Sequence, residues 1–156
     1  KTFGLTGWKI GWICANEEVS RACRLVHQYV TFSVSTPMQE AVAEGLKRLD
    51  TYLPEFVSLY QGKRDYFHSE LSKLGFDFKS PEGTYFMMVP IRKKTDLKDM
   101  EYSLKLIREN RVATVPPSAF YLKSTEGEDY LRFCFAKKEE TLKLASEWLR
   151  AAPSQS

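Results

Sequence analysis

Hydrophobic and polar positions follow a different rhythm in each half of the chain. From Tyr52 to Leu74 the apolar residues are Leu53, Phe56, Val57, Tyr60, Phe67, Leu71 and Leu74. Spacings of three, four and seven trace one helical face, and Gly75 is a natural stop because glycine accepts the left-handed backbone of a C′ position. This predicts a helix of roughly 34 Å, long enough to join two domains. Upstream, Asn16 followed by Glu17 and Glu18 predicts a helix running to about Val30, with acids at the positive end of its dipole. Thr36-Pro37-Met38-Gln39 predicts a second start, with Thr36 at N-cap, Pro37 at N1 and Gln39 at N3. Lys9 to Ala15 reads as a short buried strand with Gly11 inside it.

Beyond Gly75 the pattern alternates. Phe76 to Phe78 reads as a short strand, Ser80 to Gly83 as a turn, and Thr84 to Ile91 as an apolar strand buried on both faces. Leu97, Met100, Leu104 and Ile107 predict a helix, and Val112 to Val115 and Tyr130 to Phe135 predict strands. Leu142, Ala145, Trp148 and Leu149 line a closing helix, and Ala152 to Ser156 read as a frayed end. The order β-β-α-β-β-α predicts a small α/β layer domain.

Composition narrows the function classes. With 43% apolar and 28% charged residues among 156, the chain is not a disordered one. No run approaches the roughly 20 apolar residues of a membrane span. Lysine and arginine outnumber the acids by 23 to 20, too small and dispersed a surplus to indicate nucleic acid as a partner. Three cysteines without a C-x-x-C pair read as buried thiols in a reducing, cytoplasmic setting. His27 and His68 show no metal-ligand spacing, so no metal is expected and both read as satisfied helix residues. The chain opens on Lys1 without Met or signal peptide and reads as a piece of something longer.

Three residues stand out chemically. Lys1 and Lys9 flank a segment containing Gly4 and Gly7. A phosphate-bearing cofactor wants exposed N–H groups, small residues and one fixed cation, and a Schiff-base lysine wants an apolar or cationic surround. The alternative is that both are surface charges. Arg132 sits in Y-L-R-F-C-F-A, where Leu131, Phe133 and Phe135 alternate to one face and leave Arg132 on the other with Tyr130 and Cys134. An arginine in such a strand cannot shed its charge and must meet an anion, either a protein carboxylate or a substrate carboxylate.

The segment K-T-F-G-L-T-G-W-K-I-G-W resembles the region around the cofactor lysine of class I/II pyridoxal-phosphate-dependent aminotransferases. P-E-G-T-Y-F (81–86), V-P-P-S-A-F (115–120) and Y-L-R-F-C-F-A (130–136) continue the resemblance in order across essentially the whole chain. With V-H-Q-Y-V-T-F-S-V-S-T-P-M-Q (26–39), the chain is most similar to the branch of methionine, kynurenine and glutamine aminotransferases. The resemblance implies a fold-type I PLP-dependent transferase, of which residues 1–50 close the large domain, 51–75 form an interdomain helix and 76–156 form the small α/β domain. It implies a polypeptide more than twice this long, with the cofactor-ring partners upstream and no turnover by these residues alone.

Position by position, the resemblance makes Lys1 the lysine bound to pyridoxal 5'-phosphate and Lys9 the cation on its phosphate. It makes Arg132 the residue that takes the substrate α-carboxylate. Phe32 matches an aromatic that reaches the neighbouring active site in a homodimer, and Tyr85 and Phe120 fall near the substrate mouth. For these three, ordinary core packing stays open. The implied reaction is ping-pong amino transfer between an L-α-amino acid and a 2-oxo acid. With Phe32, Tyr85 and Phe120 available and no second cation evident, a large apolar, sulfur-containing or aromatic donor is expected. Cysteine-conjugate β-elimination shares the same first proton abstraction and remains open, and an RNA-binding sheet is a distant alternative.

Overall fold

The computed structural model describes residues 2–151. The chain divides into two compact units, one ending at Glu55 and the next beginning at Phe56.

In the N-terminal unit a single 3-10 turn, Thr6–Trp8, precedes helix α1, Glu17–Val30. The Asn16 side chain accepts the Val19 N–H at 2.9 Å, and Glu17 and Glu18 occupy the first turn, as expected of an N-cap. The helix ends through Thr31 and Phe32, whose N–H groups both reach the His27 carbonyl, at 3.0 and 2.9 Å. Helix α2 is Thr36–Leu46. It starts one residue earlier than expected: Ser35 is the N-cap and Thr36 is already helical, so the expected capping box does not form. Gln39 instead donates through Nε2 to the Val34 carbonyl at 3.1 Å. The expected strand at Lys9 to Ala15 is also absent. Gly11 to Ala15 are exposed, and a strand without a hydrogen-bonded neighbour in its unit has no ladder to hold it. Cys14 is exposed too, and Cys23 and Cys134 are half-buried, so none of the three thiols is fully buried.

Helix α3, Leu49–Lys73, runs across the division between the units. Its C-terminus is a Schellman closure. The Phe76 N–H reaches the Leu71 carbonyl at 3.1 Å, and Gly75 takes φ +82°, which a residue with a Cβ would adopt only under strain.

The C-terminal unit pairs strand β1, Phe86–Pro90, antiparallel with β2, Tyr130–Cys134, placing Met88 opposite Arg132. Helices α4, Asp99–Asn110, and α5, Glu139–Arg150, complete it. Five differences from the sequence expectation matter. Phe76 to Phe78 forms no strand, and Val112 to Val115 contributes only one bridge, Val115 to Arg132, so the order is β-α-β-α with β2 flanked on both sides at Arg132. β1 is buried on one face only: Met87 and Val89 face the core while Met88 is exposed. On α4 the expected apolar face is outside, with Met100, Leu104 and Ile107 exposed, and Asp99, Ser103, Leu106 and Asn110 buried instead. On α5, Leu142 and Leu149 are buried, but Trp148 remains exposed.

Hydrogen bonds explain the α4 inversion, because a buried polar group is tolerated when its partners are supplied. Asp99 accepts the Ser118 N–H at 2.8 Å, Ser103 donates to the Thr114 carbonyl at 3.1 Å, and Asn110 donates to the Trp148 carbonyl at 2.8 Å. The core itself joins Phe67 and Leu71 of α3 to Met87, Val89, Leu131, Phe133, Leu142 and Leu149. His68 is a satisfied helix residue, its Nε2 lying 3.0 Å from the Phe78 carbonyl oxygen. Among the described residues, no helix is long and apolar enough to cross a membrane. The reading of Ala152 to Ser156 as a frayed end lies outside the described residues.

Candidate active site

Strand alternation sets the site. Leu131 and Phe133 are buried in the core, so Arg132 projects from the opposite face of β2. Its backbone is held at both groups: the Arg132 N–H donates to the Val115 carbonyl at 3.0 Å, and the Val115 N–H donates back at 3.1 Å. Its guanidinium carbon lies 4.3 Å from the centroid of Phe86 and 4.8 Å from that of Phe120. Two aromatic rings therefore flank one cation, an arrangement that fixes the plane of the guanidinium fork.

Within this cluster the Arg132 Nε is buried and has no hydrogen-bond partner among the described residues. No carboxylate among the described residues forms an ion pair with Arg132, whereas Arg92, Arg64 and Arg150 each do with one. Leaving a buried charged donor unpaired costs about 1–3 kcal/mol or more, which an incoming anion would recover. A carboxylate suits the planar fork, because two parallel N–H···O bonds can form at once. Of the two anions open in the sequence, the structural ion pair does not form among the described residues.

The remaining candidates are distributed differently. Phe120, at the end of the 3-10 turn Pro117–Phe120, is exposed, with its ring near the Arg132 guanidinium. Tyr85 packs edge-on against Tyr60 with centroids 5.0 Å apart, on the α3 side of the sheet. There it lines a cleft of about 260 Å³ with Phe56, Arg64, Glu82 and Thr84. Arg132 and Tyr85 are thus not brought together. Lys9 and Phe32 belong to the N-terminal unit. Lys9 closes the Thr6–Trp8 turn with φ +56°, is exposed, and forms no ion pair among the described residues. Phe32 is 80% exposed and holds φ +65°, a backbone region that costs a residue with a Cβ about 1–2 kcal/mol. Lys1 lies outside the described residues.

Sequence reasoning passed over Phe86 and Asp99. Phe86 was visible as the residue two before Met88, hence on the same face as Arg132 once the register is known. Asp99 was visible as an acid opening a helix, but that position by itself also describes a solvated cap.

Solved structures place this architecture. The methionine aminotransferase structure from Escherichia coli superposes with a TM-score of 0.84 at 38% identity, covering 97% of this chain and 40% of that one. The fold is therefore that of the fold-type I α/β transferases. Among curated proteins, methionine aminotransferase of E. coli is 39% identical over 96% of this chain and 39% of its own length. Kynurenine–oxoglutarate transaminase of Dictyostelium discoideum is 38% identical over 94% and 38% respectively. The model of the family described as aminotransferase class I and II matches residues 1–149, and the chain belongs to that family. It spans about 40% of the length of the relatives it matches.

Proposed function

We propose that the protein is a pyridoxal-phosphate-dependent aminotransferase. It moves the amino group of a large apolar, sulfur-containing or aromatic L-α-amino acid, such as methionine, to a 2-oxo acid in two half-reactions of a ping-pong cycle. The carrying observation is the Arg132 guanidinium, close to the rings of both Phe86 and Phe120, with its buried Nε unpartnered among the described residues. The family match and the methionine and kynurenine relatives support the reaction class.

The residues present suit the cofactor. Lys9 offers an exposed cation, unpaired among the described residues, on a turn with Gly7 and Gly11 two residues to either side, a setting that a phosphate can approach. As a point charge it grips phosphate less directionally than an arginine fork would. Lys1, by resemblance, tethers the cofactor. When bound, pyridoxal phosphate supplies the electron sink that makes the substrate Cα–H acidic. Arg132 holds the substrate carboxylate through its fork, which orients the Cα–H bond for removal of its proton. Lys1 Nζ takes that proton as general base and returns it as general acid. Phe86 and Phe120 hold the plane of the guanidinium in one orientation and partly shield it, which strengthens its charge-assisted bonds. Phe32 serves the active site of a second copy in a homodimer, and the protein works in the cytoplasm on small-molecule amino acids and 2-oxo acids.

The test is steady-state kinetics of the cofactor-loaded protein with methionine, phenylalanine and aspartate as donors. Arg132→Leu is expected to lower kcat/KM for methionine by about 30-fold or more, the cost of losing one side of a desolvated charge pair. Aspartate as the best donor would sink the substrate assignment. Retention of the cofactor–lysine absorbance band in Lys1→Ala would sink the assignment of Lys1.

A further inference from the structure

Asp99 is a carboxylate only 1% exposed, and the proposed reaction does not use it. Its Oδ2 accepts the Ser118 N–H at 2.8 Å. Ser118 lies inside the Pro117–Phe120 turn, whose last residue stacks on Arg132. The same turn is approached closely by Gly127. A Cβ built on Gly127 would lie 2.7 Å from the Ser118 nitrogen and 2.9 Å from the Pro117 carbonyl carbon, both backbone atoms that cannot swing aside. Just upstream, the Thr114 hydroxyl donates to Ser103 Oγ at 3.0 Å, and Val115 bridges Arg132. The segment from Thr114 to Phe120 is therefore pinned to α4 at two points and to β2 at one, and its free end is the ring over the guanidinium.

We infer that Asp99 and Gly127 are positioning residues for the carboxylate pocket, holding the Pro117–Phe120 turn so that Phe120 closes over Arg132. The inference rests on the reading of Arg132 as the substrate-carboxylate site. Asp99 supplies an acceptor at the N-terminus of α4, where the helix dipole favours its charge. Gly127 supplies the close approach that lets the turn sit low enough for Phe120 to reach the cation. Without either, the turn lifts and Phe120 leaves the guanidinium to water, which weakens its hold on an anion.

Binding to the pyridoxal-phosphate-loaded protein tests this, using 3-phenylpropanoate as an unreactive carboxylate and 3-phenylpropanamide as its neutral counterpart. Asp99→Ala is expected to raise the Kd of the acid by about five-fold while leaving that of the amide unchanged. Asp99→Asn keeps an oxygen acceptor for the Ser118 N–H and is expected to restore affinity to within about two-fold. Gly127→Ala is expected to reproduce the selective loss, and it carries the test if Asp99→Ala does not fold. Unchanged acid affinity in these variants, or equal weakening of acid and amide, overturns the positioning role. Arg132→Lys separates the two readings. If it leaves acid affinity unchanged, the carboxylate site itself is wrong and the positioning role falls with it. If Arg132→Lys weakens the acid but Asp99→Ala and Gly127→Ala do not, only the positioning role fails.

Discussion

The two units differ in how they use their apolar residues. From Phe56 onward, Phe67, Leu71, Met87, Val89, Leu131, Phe133 and Leu142 close into one buried cluster. Up to Glu55, Val42 is the one buried apolar residue among those described, and Trp12, Ile13, Tyr29, Val30 and Phe32 are exposed. Both units contain well-formed helices, so helix formation is not what separates them. In the first unit the helices stand on local devices, such as the Asn16 cap and the paired closure on the His27 carbonyl. In the second, the strands and helices are held by contacts between residues distant in sequence. Local devices each contribute on the order of 1 kcal/mol, whereas a buried large side chain contributes about 1.5–3.

Amide hydrogen exchange on the 156-residue chain should expose this difference most strongly. Amides of β2 from Leu131 to Phe133 are expected to exchange about a thousand-fold or more slowly than those of α1. Comparable protection in the two would break the comparison. Core truncation comes next in size. Phe133→Ala should cost about 3–5 kcal/mol in urea unfolding of the C-terminal unit. Ile13→Ala in the N-terminal unit should stay within about 0.5 kcal/mol. A smaller effect is expected at Phe32, whose left-handed backbone glycine would adopt freely. Phe32→Gly should slow exchange of the Thr31 amide by about two- to five-fold, because the closure on His27 no longer carries strain.

The smallest effect tests the link between α3 and α5. Glu70 pairs with Lys73 at 2.7 Å and with Arg150 of α5. Its hydrogen bond with Lys73, together with the charges of Lys73 and Arg150, outweighs burial and lowers its pKa below the ordinary glutamate value. A carboxyl with a depressed folded pKa stabilises above its unfolded value, about 4.3, and loses that contribution as pH falls through the folded value. Both cations are more than half exposed, so the gain is no more than about 1 kcal/mol. Thermal melts should show wild type above Glu70→Gln at about pH 7, with the gap closing as the pH falls below the ordinary glutamate range of about 4.3.

Much of the site is legible in the sequence. Y-L-R-F-C-F-A placed Arg132 opposite the core face of its strand, because a two-residue period is a local property. Periodicity also found α3, and Asn16 found α1. It failed on α4, where Met100, Leu104 and Ile107 form a helical stripe that the structure leaves exposed. Asp99, Ser103 and Asn110 are buried there instead because Ser118, Thr114 and Trp148 meet them, and those partners lie 11 to 38 residues away. It failed also on Val112 to Val115, where a β-prone run yields a single bridge.

By itself, then, the sequence determined the family, the start of α1 with its own Asn16 cap, and the arginine that must find an anion. These rest on short-range chemistry: a cap, a period, an ionised group that cannot discharge. Only the tertiary structure decided that Phe86 and Phe120 flank that arginine, that Tyr85 faces α3 instead, and that Asp99 and Gly127 grip the turn between. Each of those is a meeting of segments far apart in the chain. Register and backbone approach set such meetings, and no local pattern encodes them.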